Sequence, residues 1–367
     1  MASYLTGLRW SDWRRLLREH APAVDRGYRL RAAGVSVGTV LTSLLARWEP
    51  EVEWSDELEE LWRQPVIILG LPRSGTTFLH QLLACNPRLA YPTRLDCFHP
   101  WICQTLHRLG VAGLLGRLPR RDRGMDRVQI GWNSPEEDEF ALAVLTASGP
   151  WMARTFQRSY AERGQSLTVD FPESETPVWQ DALRMFTRKL VARTGRPLVL
   201  KSPLHTGRIP ALRDLYPQAR FVTIFRDPRE QLRSLVDVRR EVQDWGTVQI
   251  SSPRSVSRLE KMADAMSVLL RRYFETRGQI PAGGLQELTY EELVSDPLGT
   301  LQSLHADLGL PGWAETASRL EASRWWQGYE RNTSRPLAPA ERELACTAYM
   351  PLFEAGYYPK ALQELRS

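Results

Sequence analysis

Four consecutive apolar residues, Val66-Ile67-Ile68-Leu69, begin after Pro65 and end on Gly70. A run this short and β-branched, bounded by turn formers, suits a strand buried on both faces. A glycine-bearing turn from Gly70 to Gly75 follows, and then helix-compatible residues from Thr76 through Ala84 that Pro87 stops. Strand, turn and helix in this order commit the chain to α/β layering. They also aim backbone N–H groups and the positive end of a helix at an anion.

Two further buried strands are predicted at Leu198-Val199-Leu200 and at Phe221 to Phe225, and a fourth at Leu285 to Leu288, with helical patterns between them. The fold class is therefore α/β, a three-layer sandwich around a central parallel sheet with a P-loop-like turn and its ligands at the carboxyl ends of the strands. Residues 1–64 read as an N-terminal helical segment, with Trp10, Trp13, Leu16 and Leu17 at helix spacing. Residues 65–367 read as the α/β domain, into which a helical cover is inserted at 88–196, where strand signals are weak.

With 43% hydrophobic and 25% charged residues among 367, the chain belongs with globular proteins rather than disordered or fibrous ones. A net charge of +5, spread over scattered arginines, suits an anionic ligand and leaves nucleic acid open. The longest apolar stretch, Ala32 to Ala46, is short and broken by Gly34, Ser36 and Gly38, so no membrane span is expected. The N-terminus lacks the apolar run of a secretory signal, and a cytoplasmic location is expected. Peripheral membrane contact through the N-terminal helices and the oligomeric state are left open. Cys85, Cys97, Cys103 and Cys346 have neither C-x-x-C nor zinc-ligand spacing, and read as reduced thiols with no metal site.

The spacing of Gly70 and Gly75 matches the opening of a triphosphate loop, but the lysine that should follow is Thr76. The cation lies inside the turn as Arg73, with Ser74, Thr76 and Thr77 as hydroxyl donors. A second anion site is suggested where the strand ending at Phe225 meets Arg226-Asp227-Pro228-Arg229, with Asp227 as N-cap. Ser234 lies about two turns into the following helix. It can share an anion with Arg226 only if strand and helix fold back on each other.

These segments resemble the PAPS-dependent sulfotransferase family, in particular its bacterial-type members. Pro72 to Thr77 is similar to the family's hallmark of proline, a basic residue, a small residue, glycine and two hydroxyl residues, which implies that Arg73, Ser74, Gly75, Thr76 and Thr77 hold the 5′-phosphosulfate. Arg226 to Ser234 resembles the segment that grips the 3′-phosphate, implying Arg226 and Ser234 as ligands. Tyr290-Glu291-Glu292-Leu293 is similar to the stretch near the adenine ring, and Arg331 matches a late-loop arginine. Lys201 resembles the lysine that stabilises charge on the sulfuryl group, a role shared with Arg73, so that no metal is required. The implied donor is 3′-phosphoadenosine 5′-phosphosulfate (PAPS), and the product 3′-phosphoadenosine 5′-phosphate.

Three residues are candidates for the general base, in the order His205, Asp96, Glu137. Imidazole titrates near neutral pH and His205 lies within a turn of Lys201. Animal cytosolic members carry histidine two residues after the equivalent lysine, where this chain has Pro203. Asp96 falls where tyrosylprotein sulfotransferases place a glutamate, and the cluster Glu136 to Glu139 resembles one in many bacterial members. The expected activity is sulfuryl transfer to a hydroxyl of a small, partly apolar acceptor: an alcohol, phenol or lipid. Trp101, Trp132 and Trp151 in the cover provide apolar surface, most of it for core packing. A nucleotide or small-molecule kinase is the rival enzyme class, disfavoured by Thr76. A nucleic-acid-binding module is disfavoured by the absence of an interleaved basic and aromatic stripe.

Overall fold

The computed structural model describes residues 3–22, 24–122, 129–162, 176–241, 246–250, 255–328 and 335–366. Two helices, α1 (Trp10–Glu19) and α2 (Arg29–Leu45), and a short one at Asp56–Trp62 precede strand β1 (Val66–Leu69). Helix α3 (Thr76–Leu83) leaves the turn after β1. The cover contains α4 (Glu139–Thr146), α5 (Thr176–Thr194) and a small antiparallel pair, Arg121–Asp122 with Gln129–Ile130, which the sequence did not signal. Then come β2 (Val199–Lys201), β3 (Arg220–Phe225), α6 (Pro228–Glu241), α7 (Ser255–Thr276) and β4 (Leu285–Thr289).

The four strands form one parallel sheet in the order β2-β1-β3-β4. Strand β2 is one residue later than expected because Leu198 instead bridges to Ala90. All four residues of β1 are buried, and they alternate between two cores as a pleated strand must. Ile67 and Leu69 join Leu200 and Phe221 in a large core with the N-terminal segment and the cover. Val66 and Ile68 join Val222, Ile224 and the α3 residues Phe78, Leu79 and Leu82 on the other face. The result is three layers. Parallel pairing also brings the carboxyl ends of β2, β1 and β3 together, placing Lys201, the Gly70–Gly75 turn and Arg226 on one edge.

The N-terminal segment is not separate from the larger core: Tyr4, Leu5, Leu8, Trp13 and Leu16 are all buried in it. The Tyr4 hydroxyl donates to the Trp151 carbonyl at 2.8 Å, and Trp151 stacks on Phe140 with centroids 4.2 Å apart. Trp132 meets the Phe98 ring edge-on, and Trp101 lies under the Arg9 guanidinium. Among the described residues, no helix is long and apolar enough to cross a membrane.

Candidate active site

The turn after β1 depends on two glycines. Gly70 has φ +144°, and a Cβ there would lie 2.6 Å from the Ile224 carbonyl oxygen; its N–H donates to Thr206 Oγ1 at 2.8 Å. Gly75 has φ +100°, and a Cβ would lie 2.5 Å from the Tyr290 ring. Only glycine fits either position. Arg73, at φ +70°, is in the left-handed region despite its side chain, a strained state that must be held by its surroundings. Gln231 of α6 donates to the Pro72 carbonyl at 2.8 Å, and Arg226 donates to the carbonyl of Arg73 itself at 3.2 Å.

Arg73 also donates from Nε to Ser234 Oγ at 3.0 Å. Strand β3 and helix α6 therefore do fold back on each other, and Arg226 and Ser234 meet around one loop residue. Asp227 caps α6 by accepting from the Arg229 N–H at 2.9 Å, as its place before Pro228 predicts. The Arg226 guanidinium sits 4.3 Å from the centroid of the Tyr290 ring, which is itself buried. Tyr290 begins a helix capped by Thr289 and Glu292, and its ring supports both Arg226 and the backbone at Gly75. Ser74 Oγ and Arg226 Nε are buried without a hydrogen-bond partner among the described residues.

A family model described as the sulfotransferase family matches residues 65–315, from the first residue before β1 to beyond β4. The chain belongs to the sulfotransferase family. Among curated relatives, the omega-hydroxy-beta-dihydromenaquinone-9 sulfotransferases Stf3 of Mycobacterium bovis and Mycobacterium tuberculosis are each 28% identical over 306 residues, covering 83% of this chain and 78% of theirs. Among solved structures, sulfotransferase STF9 from Mycobacterium avium superposes with a TM-score of 0.67 at 20% identity, covering 94% of this chain and 91% of that one. STF1 from Mycobacterium tuberculosis gives 0.57 at 18% identity, covering 87% and 88%. These two share the three-layer fold. The protein is thus a sulfotransferase, an enzyme that moves a sulfuryl group from a donor.

In this sulfotransferase the end of β2 is dense with paired charge. Lys201, buried, donates to Glu137 Oε1 at 2.6 Å and lies 3.4 Å from Thr77 Oγ1 of the loop helix. His205 Nε2 meets Asp138 Oδ2 at 2.8 Å, and Arg208 donates to Glu139 Oε2 at 2.8 Å. Three successive acids thus each take one basic residue between Lys201 at the end of β2 and Arg208. The sequence signals this only as an acid run; which base each acid takes is not signalled. The Glu137 side chain remains 18% exposed, whereas those of His205 and Asp138 are fully enclosed.

The second candidate base, Asp96, takes its partners from outside the loop. Its carboxylate receives both Arg193 Nη atoms at 2.8 Å, contacts His107 at 3.2 Å and accepts from Thr93 in a capping box. Burial alone would raise its pKa, but the His107 hydrogen bond, Arg193 and Thr93 outweigh that and hold it down to about 2. His80 of α3, which the sequence does not single out, is buried, and desolvation, followed by the positive charge of Lys201, pushes its pKa down to about 3. Thr76 is buried at the start of α3, and Arg331 lies outside the described residues. No group of three or more metal-ligating side chains occurs among the described residues.

Proposed function

We propose that this sulfotransferase takes its sulfuryl group from PAPS and delivers it to the hydroxyl of a partly apolar acceptor, lipid alcohols included. The observation that carries the donor assignment is Arg73, whose carbonyl meets Arg226 and whose side chain meets Ser234. A phosphosulfate-binding turn and a second cationic site are thereby contiguous, as a ligand with anionic groups at both its 5′ and 3′ positions demands. The buried, unpartnered Ser74 Oγ and Arg226 Nε fit such a ligand. Residues Ser74 to Thr77 would hold the phosphosulfate, and Arg226 and Ser234 the 3′-phosphate, with Tyr290 fixing the Arg226 plane near the adenine. The acceptor class is supported by the name of the Stf3 relatives, which act on an omega-hydroxylated menaquinone.

The order of the candidate bases changes to Glu137 first. Glu137 combines partial exposure with contact to Lys201, whereas His205 is enclosed behind Asp138 and Asp96 is committed to Arg193. The acceptor oxygen bonds to sulfur as the bond from sulfur to the 5′-phosphate oxygen breaks, and the hydroxyl proton passes to the Glu137 carboxylate. Lys201 and Arg73 offset the negative charge left on the phosphate oxygen, so the charge demand is met by side chains. His205 with Asp138 then serves as a support for the strand end.

The test of the donor is binding. 3′-Phosphoadenosine 5′-phosphate should raise the melting temperature in buffer without magnesium, because a ligand specific for the folded state stabilises it by mass action. Arg226→Ala should weaken PAPS far more than adenosine 5′-phosphosulfate, which lacks the 3′-phosphate. No thermal shift, or equal loss for both nucleotides, would refute the assignment.

A further inference from the structure

Helix α2 is apolar on two opposite faces. One, with Ala32, Val35, Thr39 and Thr42, is buried against the N-terminal turn; Thr42 donates to the Thr6 carbonyl at 2.8 Å. The other carries Leu30, Val37, Leu41 and Leu44 and continues to Trp48, with exposures of 90%, 63%, 54%, 47% and 73%. Their spacing of seven, four, three and four residues draws one stripe along about 25 Å of helix. Single exposed apolar side chains are ordinary, but a continuous stripe marks a surface that is covered in use.

Charge indicates what covers it. From Arg26 to Trp48 the chain has four arginines, at positions 26, 29, 31 and 47, and no acidic residue. Arg26 and Arg29 are exposed at one end of the stripe and Arg47 at the other. At that second end, Arg9, Trp10, Ser43 and Arg47 line a shallow depression of about 360 Å³. Guanidiniums at both ends of an apolar stripe match the phosphate and acyl layers of a lipid surface. A tryptophan at the end of the stripe suits the boundary between those layers. A second copy of the chain fits poorly, since a twofold contact through this face would set its arginines against the same arginines.

We propose that the outer face of α2 docks on a bilayer containing anionic lipid, with Leu30, Val37, Leu41, Leu44 and Trp48 at the acyl boundary and Arg9, Arg26, Arg29 and Arg47 among the headgroups. The helix lies in the plane of the surface, as an amphipathic anchor does. This binding is independent of the donor and acceptor chemistry.

The test is flotation of the full chain with vesicles of phosphatidylcholine alone or mixed with phosphatidylglycerol. The parent should float with the mixed vesicles, much less with the neutral ones, and be released by added salt. Leu41→Ser combined with Leu44→Ser should weaken partitioning by about ten-fold or more, because both side chains lose apolar burial in lipid. Arg26→Gln with Arg29→Gln and Arg47→Gln should abolish the preference for phosphatidylglycerol. A parent that floats with neither vesicle, or serine variants that float like the parent, would overturn the proposal. So would a dimer in sedimentation that the serine pair dissociates, since a second copy would then cover the stripe. Each variant should keep the parent's thermal shift with 3′-phosphoadenosine 5′-phosphate. A parent that floats but shows no such shift would sink the donor reading and leave the docking face standing.

Discussion

Glu137 meets Lys201 at 2.6 Å and keeps its side chain 18% exposed, whereas His205 is enclosed and turned to Asp138. A base that takes the acceptor proton must be reachable by the acceptor, so exposure separates the two groups where sequence position does not. Glu137→Gln is expected to cut turnover by about 10²- to 10⁴-fold with the affinity for 3′-phosphoadenosine 5′-phosphate nearly unchanged. His205→Asn should instead act mainly on the melting temperature, because it disturbs the buried partner of Asp138. Turnover, nucleotide affinity and melting of the two variants give the comparison. Near-parent turnover in Glu137→Gln beside a large loss in a well-folded His205→Asn would return the role to the histidine.

The turn between β1 and α3 works as one piece, because Gly75 lets Tyr290 close against the loop while the same Tyr290 ring carries Arg226. Gly75→Ala adds a methyl group 2.5 Å from that ring at a left-handed φ, so a loss of roughly 1–3 kcal/mol is expected together with weaker binding of 3′-phosphoadenosine 5′-phosphate. A variant that melts and binds like the parent would mean that loop and ring are not in this contact. This element was legible in the sequence because its signals are local: the apolar run, the two glycines and the helix stop lie within 22 residues, from Val66 to Pro87. The strand positions of Lys201 and Arg226 were legible for the same reason. The acid partners of Lys201, His205 and Arg208 were not, since each lies 64 to 69 residues away and no periodicity links them. The solvent-facing stripe of α2 was hidden too, because a helix apolar on both faces reads as core until its neighbours are known.

On the scale of the molecule, ionisable groups buried between layers couple the whole fold to pH. His80 is held near 3 in the fold and titrates near 6.5 in an unfolded chain. The unfolded state therefore binds the extra proton, and the contribution present above pH 6.5 is lost as pH falls toward 3, by roughly 4–5 kcal/mol at most. Asp96, held near 2, acts in the same direction at lower pH, between the ordinary carboxylate range and 2. Burial likewise holds His99 down to about 4, so the melting temperature should fall steadily below pH 6.5, with uptake of about two protons on unfolding near pH 5, one at each histidine, in calorimetry across buffers of different ionisation heat. Unfolding without proton uptake there would mean that His80 is already charged in the fold.

The bond from Tyr4 to Trp151 spans 147 residues of chain. At a synthesis rate of about 5–20 residues per second, the N-terminal segment waits roughly 7–30 seconds on the ribosome before its partner in the cover has been made. During that interval Tyr4 lacks Phe140, Trp151 and Thr155, Trp13 lacks Phe156, and the outer apolar face of α2 is open to water. This segment is completed only when the cover is made, so a nascent chain stalled before residue 151 exposes apolar surface that a chaperone or a lipid surface can cover.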